Sequence, residues 1–165
     1  MLDAAFKVGR TIRRLRFNVK YRFAFRGQDF DPSFRCDNFR GFIFGKRCYV
    51  GPGCHFDALG GIRLDDFAIV GPHVRILSYN HDFRSDIIPY GPHNDLRPVK
   101  IGKGCWIGMQ ALILPGSDIG EGSVVAAGSI VRGIIPPFSM VRPDYSRHSP
   151  LAFKKTQGLF YRDRR

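Results

Sequence analysis

Long apolar runs are missing from this chain of 165 residues. No stretch approaches the roughly 18 consecutive apolar residues that a membrane-spanning helix needs. Near the N-terminus, Asp3 and a series of arginines stand where a signal peptide has its apolar segment. We therefore expect a cytoplasmic protein. A hydrophobic content of 44% in a chain of this length indicates one domain with a single core.

Acidic residues are also scarce, with 14 Asp and Glu against 26 Lys and Arg, which gives a formal charge of +12. Such an excess suggests a polyanionic partner. However, residues 1–27 carry eight basic residues and one acid, residues 142–165 carry seven and two, and residues 28–141 carry eleven of each. The excess therefore lies at the two ends. No recognised nucleic-acid-binding module accompanies it, so we expect no nucleic acid partner.

The sequence lacks the Cys-x-x-Cys pairs that are typical of zinc sites. Its four cysteines are separated by 12, 6 and 51 residues, which matches no zinc pattern: Cys36, Cys48, Cys54 and Cys105. We interpret all four as core residues and expect no metal.

A period of six residues governs the second half of the chain. An aliphatic residue stands at 101, 107, 113, 119, 125 and 131, and a small residue follows four places later in the first five blocks. A helix of 3.6 residues per turn cannot keep that period on one face, and the recurring glycines argue against one continuous strand. Short strands joined by tight turns fit, so the pattern predicts a parallel β-helix in which three blocks form one coil.

The same register continues upstream, less regularly. The inward aliphatic or aromatic positions are Phe44, Val50, Phe56, Leu64, Val70 and Ile76, and the small inward positions are Cys48, Cys54, Ala68 and Val74. Between Ile76 and Ile101 the register is lost in a stretch rich in proline. We predict an all-β protein of about four to five coils, with an excursion loop over about 77–100.

The blocks IGKGCWIGMQALILPGSDIGEGSVVAAGSIV, preceded by a loop that opens on His81 within SYNHDF, resemble the hexapeptide-repeat acyltransferases. The similarity is greatest to the branch of galactoside, maltose and surface-polysaccharide O-acetyltransferases, and it covers roughly residues 42–137. It implies a left-handed winding of the β-helix, which we assign to residues 28–137. It also implies a homotrimer with active sites between subunits, acetyl-CoA as cosubstrate, and a sugar or glycan acceptor.

The resemblance assigns His81 as the general base that removes a proton from the acceptor hydroxyl, a role that imidazole can fill near neutral pH. Asn80 and Asp82 flank it, but neighbouring side chains of an extended segment point in opposite directions, so Asp82 is not expected to pair with His81. We expect Asp82 to hold the loop, and Asn80 either to contact substrate or to cap a turn. Together with Trp106 they are the candidate substrate-binding residues.

The resemblance further implies a set of residues along the CoA: Trp106, Gly108, Ala126, Ala127, Arg132, Arg142 and Arg147. Small residues are needed where the pantetheine arm runs along the backbone, and arginines suit the phosphates. Repeat geometry also explains the small residues, and a subunit interface also explains Trp106.

The basic ends remain open to several interpretations. In residues 1–27, the apolar residues Val8, Ile12, Leu15 and Val19 form one stripe of a basic amphipathic helix, although the segment from Phe17 to Phe25 alternates like a strand. Such a segment can cap the β-helix, contact the inner face of an anionic membrane or bind nucleic acid, in that order of preference. Residues 138–165 form a basic C-terminal tail.

We interpret the chain as an acetyl-CoA-dependent O-acetyltransferase of a sugar or surface-polysaccharide intermediate. The alternatives are an N-acetyltransferase of an amino sugar and a hexapeptide-repeat scaffold without catalysis. A metal-dependent hydratase would need zinc on the remaining histidines, among them His55, His73 and His93, whose spacing does not fit that class.

Overall fold

The computed structural model describes residues 28–82, 86 and 91–143, together with the backbone of 148–150. This part of the chain is built almost entirely of strands of two or three residues, and a single 3-10 turn, Phe39–Gly41, is its one helical element. No helix in it is long and apolar enough to cross a membrane. The strands are β1 Asp29–Phe30, β2 Arg35–Asp37, β3 Phe42–Phe44, β4 Tyr49–Val50, β5 His55–Asp57, β6 Ile62–Leu64, β7 Ile69–Val70, β8 Arg75–Leu77, β9 Tyr79–His81, β10 Asn94–Leu96, β11 Val99–Ile101, β12 Trp106–Ile107, β13 Leu112–Ile113, β14 Asp118–Ile119, β15 Val124–Val125, β16 Ile130–Val131, β17 Ile134–Ile135, β18 Ser139–Val141 and β19 His148–Pro150.

The strands form three parallel sheets that are the faces of a prism of about five coils. The first face runs β1-β4-β7-β12-β15-β18, the second β2-β5-β8-β13-β16 and the third β3-β6-β11-β14-β17. The chain visits the faces in this order, so each strand pairs with strands of the coils below and above. This confirms the predicted parallel β-helix. The predicted N-terminal helix lies outside the described residues.

The inward positions predicted from the six-residue period are confirmed. Each aliphatic residue from Ile101 to Val131 in that register is fully buried, and so are Val50, Phe56 and Ile76 upstream. Phe44 is half-buried. The four cysteines are buried free thiols, as expected of core residues. Cys36 stands opposite Phe56 in the ladder and thus takes a large-residue position.

Aromatic side chains fill the first coil. The rings of Phe34 and Phe56 lie 4.7 Å apart between centroids, and the ring of Phe42 lies 5.5 Å from that of Phe56. Phe30 and Phe44 pack against this cluster from the same end. Large rings therefore cover the N-terminal end of the aliphatic core that later coils continue.

The corner between the first and second faces is lined by small residues, and we call it the glycine corner: Gly51, Gly71, Gly108 and Ala126. Each backbone N–H there bonds to the carbonyl of the next coil, as from Gly108 N to Val125 O at 2.7 Å. A Cβ on Gly108 would lie 2.5 Å from Ala127 N and 2.7 Å from Val125 O, so coil stacking itself requires glycine at this position.

The excursion leaves the prism between β8 and β11, at the corner between the second and third faces, which we call the hairpin corner. The sequence predicted a loop here, and the structure adds an antiparallel hairpin of β9 and β10 within it. The pairs are Tyr79 with Leu96, Asn80 with Asp95, and His81 with Asn94.

The last parallel strand, β18, lies past residue 137, and β19 pairs with it in the antiparallel direction. The parallel ladder of the first face therefore ends at Val141.

Candidate active site

Ser78 anchors the root of the hairpin. Its buried hydroxyl donates to Asp57 O at 2.8 Å and accepts from Gly60 N–H at 2.9 Å. Its backbone N–H donates to Asp57 O at 3.1 Å, and its carbonyl accepts from Arg97 N–H at 2.9 Å. Ser78 thus ties both strands of the hairpin to the preceding coil. His81 lies three residues beyond this anchor.

His81 is exposed at the end of β9. The hairpin bonds join Arg97 with Ser78 and Asp82 with His93, so His81 lies between the hydrogen-bonded pairs and its backbone N–H faces away from β10. That N–H donates to Asn80 Oδ1 at 2.9 Å. Asn80 therefore supports the backbone at His81, and its side chain leaves the opposite side of the strand.

The side of the hairpin that carries His81 also carries Tyr79, because alternate residues of a strand share a side. The rings of Tyr79 and His81 meet edge to face, with centroids 6.1 Å apart and an interplanar angle of 85°. Asn94 and Leu96 stand opposite these two rings in β10. In pairs of this kind the side chains approach closely.

A polar network lies beneath Tyr79, on the two preceding coils. The Asp57 carboxylate accepts from Asn38 Nδ2 at 2.8 Å. Its negative charge, followed by desolvation and a hydrogen bond from the hydroxyl, raises the pKa of Tyr79. On the same strand as Asp57, His55 places its Nε2 2.7 Å from Asp37 Oδ2 of the neighbouring β2. The raised pKa of Tyr79 keeps its hydroxyl a potential hydrogen-bond donor that faces the charge of Asp57.

The sequence reasoning missed this network. A signal was present: Asp37 and Asp57 are one coil apart and pair in the ladder, and Tyr79 precedes His81 by one strand period. The pairing of Asp37 with Asp57 follows from the repeat only when the longer early coils are recognised.

The other predicted site residues lie elsewhere on the prism. Trp106 is on the first face with its side chain pointing outward, 55% exposed. Ala127 is exposed beside the glycine corner, where Arg142 follows Ala126 in the next coil. Arg132 is at the hairpin corner, after β16. Arg147 lies outside the described residues.

Within one chain, therefore, the candidate base and the candidate CoA-binding residues are separated. His81 is at the hairpin corner, and Gly108, Ala126 and Arg142 are at the glycine corner, with the whole second face between them. Asp82, just past β9, donates its N–H to His93 O at 3.3 Å and accepts from Gly91 N–H at 3.1 Å. These bonds tie Asp82 to the backbone of the return strand.

The remaining described histidines do not converge. His55 is on the second face, His73 is at a turn of the glycine corner, and His93 precedes β10. Over the described ranges, no three His, Cys, Asp or Glu side chains come together as metal ligands.

Comparison with known proteins agrees with this architecture. The family model described as bacterial transferase hexapeptide (six repeats) matches residues 98–133. A protein of Schizosaccharomyces pombe named as an acetyltransferase is 37% identical over 98 residues, which cover 57% of this chain and 45% of that protein. The chain thus spans less than half the length of this relative.

Solved structures extend the similarity. A hexapeptide-repeat acetyltransferase from Vibrio cholerae has a TM-score of 0.61 at 25% identity, covering 69% of this chain and 64% of that one. A maltose O-acetyltransferase from Clostridium difficile has a TM-score of 0.59 at 28% identity, covering 68% of this chain and 60% of that one.

Proposed function

We propose that this hexapeptide-repeat protein is an acetyl-CoA-dependent O-acetyltransferase that acts on a hydroxyl of a sugar or surface-polysaccharide intermediate, with His81 as general base. The observation that carries the proposal is the exposed imidazole of His81 on a strand whose root is anchored in the prism. The chemistry named for the similar proteins, acetyl transfer and in one case O-acetylation of maltose, supports it.

In this reaction His81 takes the proton of the acceptor hydroxyl while the hydroxyl oxygen attacks the carbonyl carbon of the acetyl thioester. The carbon–sulfur bond then breaks, and His81 returns the proton to the leaving sulfur. The products are an acetyl ester and a free thiol. Asn80, Asp82 and the Ser78 anchor hold the strand that carries the base, so the imidazole meets the acceptor from a fixed backbone.

The glycine corner fits the pantetheine arm of acetyl-CoA. Gly108, Ala126 and Ala127 place only small side chains at their positions of the corner, Met109 is exposed on the turn beside them, and Arg142 stands at the C-terminal end of the corner for the phosphates. Trp106 offers an aromatic wall on the adjoining first face. Because coil stacking alone already requires glycine at position 108, Gly108 is not evidence for a CoA site. The assignment therefore depends on the exposed Ala127 and on Arg142.

Within one chain, His81 and the glycine corner proposed to bind CoA lie apart. We therefore propose that a neighbouring chain completes the site in a homotrimer. The first face offers the contact surface, since its outward column is uncharged from Tyr49 to Met140 and includes the exposed Ile69 and Trp106. The outward columns of the other two faces carry charged residues, among them Arg75 and Lys100. A solvent-exposed apolar column of this kind is typical of an interface.

The same proposal includes the place in the cell where the chain acts. The chain acts in the cytoplasm, where acetyl-CoA is made, and the basic segment 1–27 contacts the inner face of the membrane when the acceptor is linked to a lipid.

The test is the release of free thiol from acetyl-CoA in the presence of simple sugars, nucleotide-linked sugars and glycan oligosaccharides. We expect His81→Ala to lower kcat about a hundredfold or more, as loss of a general base does. His93→Ala is the matched control, because that histidine also belongs to the hairpin region and is expected to be neutral. Full turnover by His81→Ala would refute the role of the base, and acetylation confined to amino groups would favour the N-acetyltransferase.

A further inference from the structure

We propose that Tyr79 is a positioning residue that sets the ring orientation of His81, and that Asp57 holds Tyr79 in that position. The proposal rests on the proposed role of His81 as the base. It gives a role to the side chains of Tyr79 and Asp57, which belong neither to the buried core nor to the backbone hydrogen bonds of the hairpin.

The first support is the contact between the two rings. Tyr79 is half-buried and His81 is exposed, and the rings meet edge to face at 6.1 Å and 85°, an arrangement that aromatic rings favour. An exposed imidazole without such a neighbour samples several rotamers, and only some of them direct a ring nitrogen to the acceptor. A fixed ring on one side reduces that sampling and the entropy lost in the reaction.

The second support is the way Tyr79 itself is held. Asp57 pairs with Leu77 in the ladder of the second face, two residues before Tyr79. Its carboxylate accepts from the amide of Asn38 at 2.8 Å, and its negative charge is the largest cause of the raised pKa of Tyr79. These interactions thus link the corner after β2, the end of β5 and the hairpin, whose root Ser78 ties to the prism.

The third support is that neither side chain is part of the buried core. The core of the described residues consists of the inward register positions, and Asp57 and Tyr79 are both outside it. Substitutions at these positions are therefore expected to keep the fold, so that their effect on the reaction can be measured.

The experiment compares Tyr79→Leu, Tyr79→Phe and Asp57→Asn with the unmodified protein. Tyr79→Leu removes the ring, and we expect kcat to fall about tenfold or more while the KM for acetyl-CoA stays within about twofold. Tyr79→Phe keeps the ring but not the hydroxyl, so its loss of kcat is smaller. Because Asp57 acts through that hydroxyl, Asp57→Asn should cost little further in the Tyr79→Phe background.

The decisive comparison is made in the His81→Ala background. A residue that acts through His81 has no effect on the residual rate once His81 is gone. If Tyr79→Leu lowers the residual rate by the same factor as in the unmodified protein, or leaves kcat unchanged when His81 is present, the proposal is wrong. If His81→Ala itself retains full turnover, the proposed general base fails instead, whatever Tyr79 does.

Proton NMR of the imidazole resonances gives a reading that is independent of activity. The ring current of Tyr79 acts on His81, so Tyr79→Leu should move the His81 resonances, Tyr79→Phe should largely preserve them, and those of His73 should stay in place in both. His81 resonances that do not respond to Tyr79→Leu would overturn the positioning role. Thermal melts of each variant verify that the fold is retained.

Discussion

At the scale of the residue, Ser129 stands out among the small inward residues of the repeat because its hydroxyl is not satisfied. Its hydroxyl is fully buried and has no hydrogen-bond partner in the described structure. At the corresponding small position of an earlier block, the Ser117 hydroxyl donates to Leu114 O at 2.7 Å and contacts Val131 O at 3.1 Å. The same residue type therefore stabilises one coil and costs free energy in another.

This difference predicts opposite effects of the same substitution. Ser129→Ala removes an unsatisfied buried hydroxyl and should raise the free energy of unfolding by about 1 kcal/mol. Ser117→Ala, its matched control, removes satisfied bonds and should lower it by a similar amount, about 1 kcal/mol. Urea denaturation measures both. A less stable Ser129→Ala protein would mean that the hydroxyl has a partner in solution.

The buried thiols predict a dependence on alkaline pH. Desolvation by burial, the largest cause, raises the pKa of Cys54 and that of Cys105 to about 11, from an ordinary 9.0. A raised folded-state pKa contributes stability below the unfolded pKa, and this contribution is lost as pH rises from about 9 through about 11. The free energy of unfolding should fall over that window.

Cys105→Ala should lose less stability between those pH values than the unmodified protein. An equal slope in both proteins would contradict the assignment. Ellman's reagent at pH 8 offers a second measurement, because the thiols should react slowly in the folded protein and promptly after denaturation.

At the scale of the element, the hairpin depends on the Ser78 anchor. Ser78→Ala removes a hydroxyl that donates to Asp57 O and leaves Gly60 N–H without that acceptor. We expect a loss of about 1 to 3 kcal/mol, as for other buried donors left unsatisfied. Amide hydrogen exchange should accelerate at Asp82 and Arg97, whose N–H groups bond across the hairpin, and remain slow at Ile107 and Val125. Unchanged exchange in the hairpin would show that its root is held by backbone bonds alone.

The hairpin also marks the limit of what the sequence could predict. The inward register from Ile101 to Val131, the buried cysteines and the outward Trp106 follow from a period of six, because each coil repeats the same geometry. Residues 79–96 do not follow this period. Asn94 and Asp95 of β10 pair with β9, and no apolar pattern in the sequence marks this pairing. The position of Asp57 near the root of the hairpin depends on coils of 20 residues, such as the one from Tyr49 to Ile69. Later coils take 18 residues, as from Trp106 to Val124.

At the scale of the whole molecule, the proposed sharing of one site between two chains predicts complementation. His81→Ala removes the proposed base, and Ala127→Trp places a bulky ring at the exposed glycine corner without entering the core. Each variant alone should retain only a small residual activity. When both are co-expressed in equal amounts, random assembly brings an intact base and an intact corner together at about a quarter of the interfaces.

Two different affinity tags select the mixed trimers, in which one of the three interfaces is intact, so these should recover about a third of the unmodified activity. Oligomers of either variant alone, mixed only in the assay, are the control. If co-expression restores no activity, the base and the CoA corner of one site come from the same chain, and the shared site is wrong.

The reversal of chain direction at β19 bears on how such a molecule avoids polymerising. A stack of parallel coils has no natural end, because its final strands offer the same hydrogen-bonding edge that each earlier coil used to receive the next. On the first face, β19 occupies that edge in the antiparallel sense, so another molecule cannot add its own first coil there in register. On this face, therefore, β19 interrupts the parallel register that end-to-end growth into filaments would need to continue.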